Sequence, residues 1–478
     1  MTQFLDPLDS AFVLLEVAGS AMNIGAVIEL DSGVVEEPER RFELIRDNIA
    51  TRIHEIPIFT QRIVRAPFDM TWPILVPDEK FDLDRHVVRV ALPSPGTSAQ
   101  FDALVSDFFS RTLIPNRPLW QLLVIEGLED GGAALALKVH HALADGVSGA
   151  EAFANLFDIS PEVRAPTPFV EPEEDGPPAV TSSMGLLRQG LDKIRRRPQL
   201  IVESVGSWVA RLYETVRAIV KVAVVHGRRQ SNPEQPSIFE ARRTSLNGAA
   251  GVEKDFHRFR VPLTDVKHAA KSRGASVTDF VVSTSSGALR RLLDDRGEVL
   301  RKDLIAFVPI NVREQGDSSE FGNQISGMLV RMHTDIIDPQ ERLDAIAKDS
   351  TATVGPQRIK NAKVLQNIPR VLGPMALSFG GKIISAFELI NRMPPIANLM
   401  VSSVPGPPIP LWLSGYRVVS AAPVGPLIGS FSLNITVLGF GEYLEFGLLG
   451  CAEQMPDLVT LRDYIYEEAL SLISSAAS

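Results

Sequence analysis

Asp130-Gly131-Gly132-Ala133-Ala134-Leu135-Ala136-Leu137-Lys138-Val139-His140-His141-Ala142-Leu143-Ala144-Asp145-Gly146 is the stretch from which the rest of the chain can be read. Its compact apolar run, Ala133 to Val139, is bounded by a turn-forming Asp-Gly-Gly on one side and a polar cluster on the other, so it is predicted to be a buried strand. Ser148-Gly149-Ala150-Glu151 follows with the S-x-x-E pattern of a capping box, and Ala152, Phe153, Leu156 and Phe157 continue it, so a helix is predicted to start there. Strand, turn and helix together place two adjacent histidines at a strand end.

Successive side chains of a strand point to opposite faces, so one imidazole can face a cleft while the other faces structure. An imidazole with an ordinary pKa of about 6.5 suits removal of a hydroxyl or amine proton at neutral pH, provided a neighbour fixes its tautomer. Asp145, four residues beyond His141, can do this directly or hold the turn that aims the ring. Gly146 supplies a backbone angle or a close approach that a Cβ would block. An isolated His-His pair is ordinarily structural; here pair, acid, glycine and capped helix coincide, and the pattern points to a catalytic base.

Around this stretch lie 478 residues, 45% apolar and 22% charged, enough for two or three domains or two halves of one large enzyme. The net charge of −10 argues against nucleic acid as a partner. Cys451 is the single cysteine, which excludes an intrachain disulfide and a thiolate metal cluster, and fits a reducing compartment. No metal site is expected. The first residues lack the basic and apolar regions of a secretory signal, and no apolar run approaches the roughly 18 residues that cross a bilayer, so a cytosolic or peripheral protein is expected. A mean hydropathy of +0.08 and 23 phenylalanines against five tyrosines suit apolar ligands. A G-x-S-x-G elbow, an H-E-x-x-H zinc motif and a phosphate-binding P-loop are all missing, which leaves direct transfer catalysed by a base.

The organisation reads as α/β in two halves: residues 1–160 with the histidine motif, a Pro- and acid-rich linker with a long amphipathic helix over 161–254, and a second half over 255–478. In the helix, Ile201, Val205, Trp208, Leu212, Val216 and Ile219 recur at spacings of three and four; it either packs on the second half or lies at an anionic lipid surface. Strands are expected over Leu304–Pro309 and Ser432–Leu438, and a helix beginning near Ser276.

Several fragments occur in a set order: Leu5-Asp6-Pro7-Leu8-Asp9-Ser10-Ala11-Phe12, Met22-Asn23-Ile24-Gly25-Ala26, Phe81-Asp82-Leu83-Asp84-Arg85-His86-Val87, Arg117-Pro118-Leu119-Trp120, and the H-H-x-x-x-D-G motif itself. As an ordered set over nearly the full chain, they resemble the wax ester synthase/acyl-CoA:diacylglycerol acyltransferase family, within the group that shares H-H-x-x-x-D-G with chloramphenicol acetyltransferase and condensation domains. The resemblance implies two chloramphenicol acetyltransferase-like subdomains with mixed sheets, joined by a linker, and a tunnel between them that admits acyl-CoA from one side and a lipid alcohol from the other. It implies that His141 is the general base that deprotonates the acceptor hydroxyl, with His140, Asp145 and Gly146 in the catalytic motif and Asp145 a structural partner. No covalent acyl-enzyme and no cofactor beyond the co-substrate acyl-CoA are implied. The resemblance also implies diacylglycerol or a long-chain alcohol as the acceptor, at a membrane or lipid-droplet surface. A weakly active lipid-binding homologue, or transfer to another lipid alcohol, is the alternative.

Trp120 and Pro118 are expected to shape the wall beneath the histidine strand by buried packing. In the second half, Thr278-Asp279 stands where the family has Asn-Asp, so a hydroxyl replaces an amide, and Asp279 also fits a capping-box carboxylate three residues after Ser276. Ser403-Val404-Pro405-Gly406-Pro407 keeps the family's rigid turn without its asparagine. Asn434, in Leu433-Asn434-Ile435-Thr436-Val437, is family-like, whereas Gly439-Phe440 replaces Ser-Tyr and Cys451 replaces aspartate. Thr278, Asp279, Asn434 and Trp120 are the expected substrate-binding or supporting residues.

Overall fold

The computed structural model describes residues 3–16, 22–32, 40–143, 155–165, 240–249, 251–311, 325–353, 372–386, 389–407 and 409–477, with isolated positions besides. Asp145, Gly146, the Ser148–Glu151 capping box and the long amphipathic segment of 201–223 lie outside the described residues.

In chain order the strands are β1 (Gln3–Phe4), β2 (Asn23–Leu30), β3 (Gln61–Val64), β4 (Ile74–Pro77), β5 (Val87–Ala91), β6 (Trp120–Glu126), β7 (Ala133–His140), β8 (Lys254–Pro262), β9 (Ile305–Asn311), β10 (Ile325–Arg331), β11 (Leu399–Val404), β12 (Trp412–Leu413), β13 (Tyr416–Val424), β14 (Leu433–Phe440) and β15 (Tyr443–Cys451). The principal helices are α1 (Pro7–Leu15), α2 (Arg41–Arg52), α3 (Ser98–Ser110), α4 (Leu263–Ser272), α5 (Val277–Asp295), α6 (Pro339–Thr353), α7 (Pro374–Ala386) and α8 (Leu458–Ala477).

The strands form two six-stranded sheets, β12-β13-β2-β7-β6-β5 and β10-β9-β11-β14-β15-β8, and a small sheet β1-β4-β3. Both large sheets are mixed: β5 runs parallel to β6, and β11 parallel to both β9 and β14, while the other pairings are antiparallel. This is the α/β class that the sequence suggests, with the mixed sheets that the family resemblance implies. The buried strand expected over Ala133–Val139 is β7, every residue of it buried, and Ser276 caps the expected helix as α5.

β7 is buried on both faces because different cores cover them. Leu135, Leu137 and Val139 pack with Trp120 and with Ile45 and Ile49 of α2. Ala134 and Ala136, with Val27 of β2, instead meet Phe108 and Phe109 of α3 and Phe256 and Leu449 of the second sheet. Alanines on that face leave room for aromatic rings from α3 and for the second sheet.

β12 and β13 come from the second half of the chain but complete the first sheet, β13 pairing with β2 from Val418↔Leu30 to Val424↔Gly25. Trp412 of β12 exchanges backbone hydrogen bonds of 2.8 Å with Asp158. Asp158 in turn forms a buried ion pair with Arg52 at 2.9 Å. A helix also spans the halves: Ser106 of α3 accepts the Phe256 amide at 2.9 Å, and His257 of β8 lies between Asp102 of α3 at 3.2 Å and Asp255 at 3.3 Å. Burial disfavours the His257 imidazolium, but the two carboxylates outweigh it and hold the ring's pKa up to about 9.

Candidate active site

Backbone hydrogen bonds fix the histidine pair from both neighbouring strands. The His140 amide donates to Leu119 O at 2.9 Å, and the His141 amide donates to Met22 O at 2.7 Å. Trp120 sets the β6 side: it stands opposite Val139, is 2% exposed, stacks on Phe59 and His86, and donates from Nε1 to Phe59 O at 2.7 Å. Buried packing is therefore what Trp120 does, as its sequence context suggests.

The two imidazoles have different surroundings. His140 Nδ1 accepts the Ala142 amide at 3.1 Å, which assigns the neutral ring's proton to Nε2. That Nε2 faces Glu16 Oε2 at 3.4 Å. His141 is 6% exposed, and its ring stacks on Phe12 of α1 with centroids 4.3 Å apart and planes 23° apart. One histidine thus holds its own turn, while the other is held by backbone and an aromatic platform in a water-poor setting. The N-terminal fragments supply the parts of this arrangement that sequence reading missed. Phe12 is the platform and Met22 the backbone anchor, yet no periodicity connects residues 12 and 22 with 141.

Lys138, two residues before His140, is fully buried and donates from Nζ to Phe108 O at 2.5 Å and Arg111 O at 2.7 Å, carbonyls at the C-terminal end of α3. Burial, with Arg111 adding like-charge repulsion, pushes its pKa down to about 7. The unfolded lysine binds a proton more readily than the folded one, so this group makes stability rise with pH between about 7 and 10.5. Lys138→Met removes that contribution. The wild-type minus mutant unfolding free energy, measured in urea across this window, is expected to climb by up to about 1.4 kcal/mol per pH unit; parallel curves would contradict it.

The second-half residues serve chiefly as supports. Asp279 Oδ2 accepts the Ser276 amide at 2.8 Å while Ser276 Oγ accepts the Asp279 amide at 3.1 Å, a complete capping box, and Oδ1 accepts Ser350 Oγ of α6 at 2.6 Å. Thr278 stands beside it in the first turn of α5. Asn434 is fully buried; Nδ2 donates to Pro426 O at 2.8 Å and Oδ1 accepts Thr436 Oγ1 at 2.6 Å. A Cβ on Gly425 would lie 2.4 Å from both Asn434 Oδ1 and Thr436 Oγ1, so this pair holds the segment after β13 against the second sheet. Gly406 approaches Gly439 O so closely that a Cβ would lie 1.9 Å from it, which gives the Pro-Gly-Pro turn its physical requirement. Phe440 packs into the first sheet's core, and Cys451 Sγ accepts the Gly251 amide at 3.1 Å.

Comparison with known proteins matches residues 5–281 to the wax ester synthase/diacylglycerol acyltransferase catalytic domain and 321–474 to the C-terminal domain of the same family. The chain belongs to the wax ester synthase/diacylglycerol acyltransferase family. Two proteins of Mycobacterium tuberculosis that carry the name diacylglycerol O-acyltransferase are similar to it, one at 29% identity over 478 residues, covering 98% of this chain and 90% of the relative. The other is 28% identical over 475 residues, with 98% and 96% covered. Its fold is similar to that of the wax ester synthase/diacylglycerol acyltransferase from Marinobacter aquaeolei VT8, with a TM-score of 0.68 at 24% identity and both chains fully covered. The first condensation domain of the CDA synthetase also matches, with a TM-score of 0.56 at 15% identity over 100% of this chain and 97% of the other. The two-sheet architecture is thus that of the wax ester synthase/diacylglycerol acyltransferases and the condensation domains. As a member of the family, the chain is an acyltransferase that draws on acyl-CoA.

Proposed function

We propose that this acyltransferase moves a long-chain acyl group from acyl-CoA to diacylglycerol or a long-chain alcohol, with His141 as the general base. The observation that carries this reading is the setting of His141 in a chain matched to the family's catalytic domain: backbone pinned to Met22, ring stacked on Phe12, at the end of a strand buried on both faces. His141 takes the acceptor's proton as the hydroxyl oxygen attacks the thioester carbonyl, and returns it to the departing CoA sulfur. Asp145 and Gly146 complete the H-H-x-x-x-D-G motif, with Asp145 as the positioning partner of His141.

The passage that brings the substrates together runs between the two sheets, and acceptors reach it from a membrane or lipid-droplet surface at which the protein is peripheral. Among the described residues no helix is long and apolar enough to cross a membrane. Labelled palmitoyl-CoA offered with a panel of diacylglycerols and fatty alcohols tests the reading. Labelled triacylglycerol or wax ester is the expected product; release of free fatty acid alone, whatever the acceptor, would overturn it.

A further inference from the structure

Away from the histidine pair, three chain segments converge on a cavity of about 350 Å³: residues 240–243, Lys302 shortly before β9, and residues 392–395 shortly before β11. Arg242, Arg243, Lys302 and Arg392 line it against a single acid, Glu240. Glu240 Oε1 meets Arg331 Nη2 at 2.5 Å, so that carboxylate is paired with a cation from outside the lining. Four cations therefore share one hollow in a chain whose net charge is −10.

Buried amides fix the frame of this hollow. Asn398, fully buried, donates from Nδ2 to Arg242 O at 2.7 Å and accepts the Ile305 amide on Oδ1 at 2.9 Å. Asn247 Nδ2 donates to Ala397 O at 3.1 Å. Arg243 ties the segments together: Nη2 donates to Ile390 O at 2.6 Å and to Met393 O at 2.8 Å, and Nη1 donates to Asn247 O at 3.2 Å. Its partners are neutral carbonyls, which position the guanidinium and leave its charge uncancelled. Arg242, Lys302 and Arg392 are exposed, and among the described residues their side chains make no hydrogen bond or ion pair.

We infer that this cavity is a binding site for a phosphate monoester, gripped by Arg242, Lys302 and Arg392 with Arg243 as the fixed charge behind them. Cations gathered without counter-charges repel one another, and an anion seated among them turns that repulsion into attraction. A phosphate monoester suits them better than a carboxylate, because it brings three free oxygens and about two charges, and guanidinium forks take such oxygens bidentately. Met393, Pro394 and Pro395 add an apolar wall for the organic group that carries the phosphate. The volume lies at the small end of the range of about 300–1,000 Å³ usual for small-molecule sites. A phosphate monoester is present both on the nucleotide end of CoA and on phosphatidic acid in a membrane. The site goes beyond the acyl-transfer reading and does not depend on it.

The triple variant Arg242→Gln, Lys302→Gln, Arg392→Gln removes three exposed, unpaired charges and leaves Arg243 and both asparagines to hold the frame. A control with the same change in net charge, Lys267→Gln, Lys271→Gln, Lys348→Gln, alters exposed lysines of α4 and α6 instead. With full-length protein at low ionic strength, adenosine 3′,5′-bisphosphate is titrated by calorimetry, and flotation is measured with phosphatidylcholine vesicles with and without phosphatidic acid. Wild type and control are expected to bind at least one phosphate probe about tenfold or more tightly than the triple variant, with the difference shrinking as salt is raised. A response to the nucleotide identifies a soluble ligand, and the KM for palmitoyl-CoA should then rise in the triple variant with kcat unchanged. A response to vesicles only when they contain phosphatidic acid identifies a lipid headgroup. Lys302→Glu, which puts a carboxylate into the hollow, carries the test if the triple variant misfolds. A wild type that binds neither probe, or a triple variant that binds both as well as the control does, overturns the site and leaves the acyl-transfer reading standing.

Discussion

His141→Ala eliminates measurable ester formation while the protein stays folded. Loss of a positioned general base costs about 10²–10⁴-fold in rate, and among the described residues the adjacent imidazole does not replace this one: His140 spends Nδ1 on the Ala142 amide and turns Nε2 toward Glu16. The fold survives because what fixes the turn is the His141 amide, bonded to Met22 O at 2.7 Å, and alanine keeps that amide. Loss of the stacked contact with Phe12 costs about 0.5–1.5 kcal/mol, a small part of the stability of a protein this size. Labelled ester formation is measured beside circular dichroism and thermal melting; a folded variant with unchanged turnover would refute the base assignment. His140→Ala is the informative contrast, since it opens the turn at Ala142 and should lose stability as well as rate.

What the sequence made legible follows from how local each signal is. β7 is announced by its own apolar run between turn residues, and α5 by Ser276 and Asp279, because strand burial and helix capping are decided within a few positions. The same capping logic offered Asp279 a support role beside a substrate-binding one, and the structure fills both of its oxygens with serine and backbone partners. The passage of β12 and β13 into the first sheet has no such signature. Val418 to Val424 lies within the half bounded as 255–478, and nothing in its sequence names β2, almost 400 residues earlier in the chain, as its partner. For the site, the histidine motif and Trp120 were readable, whereas Phe12 and Met22 were visible only as family-like fragments. Their role arises from β2 and α1 packing around the end of β7, a contact across more than a hundred residues.

The crossing of β13 over the second sheet predicts the largest loss of stability. A Cβ built on Gly447 of β15 would lie 1.7 Å from Pro423 O and 2.9 Å from its carbonyl carbon, distances at which atoms cannot coexist. Neither backbone is free to retreat: Pro423 is paired with Ala26 in the first sheet, and Gly447 with Thr436 and Arg258 in the second. Gly447→Ala therefore forces the two sheets apart at their crossing, uncovering Phe256 and Leu449 where they pack with Val27 and Ala136. The expected cost is about 3 kcal/mol or more, beyond what overpacking by one methyl in a yielding core requires. Gly380→Ala is the matching control. In α7 an added Cβ meets nothing within 4 Å, so the change should be neutral or stabilise by up to about 1 kcal/mol through helix propensity. Urea unfolding of the two variants, with acyl transfer measured on whatever Gly447→Ala protein folds, reads the difference. A Gly447→Ala midpoint equal to that of Gly380→Ala would mean that the sheets do not meet at this carbonyl, and the passage proposed between them would have to be drawn elsewhere.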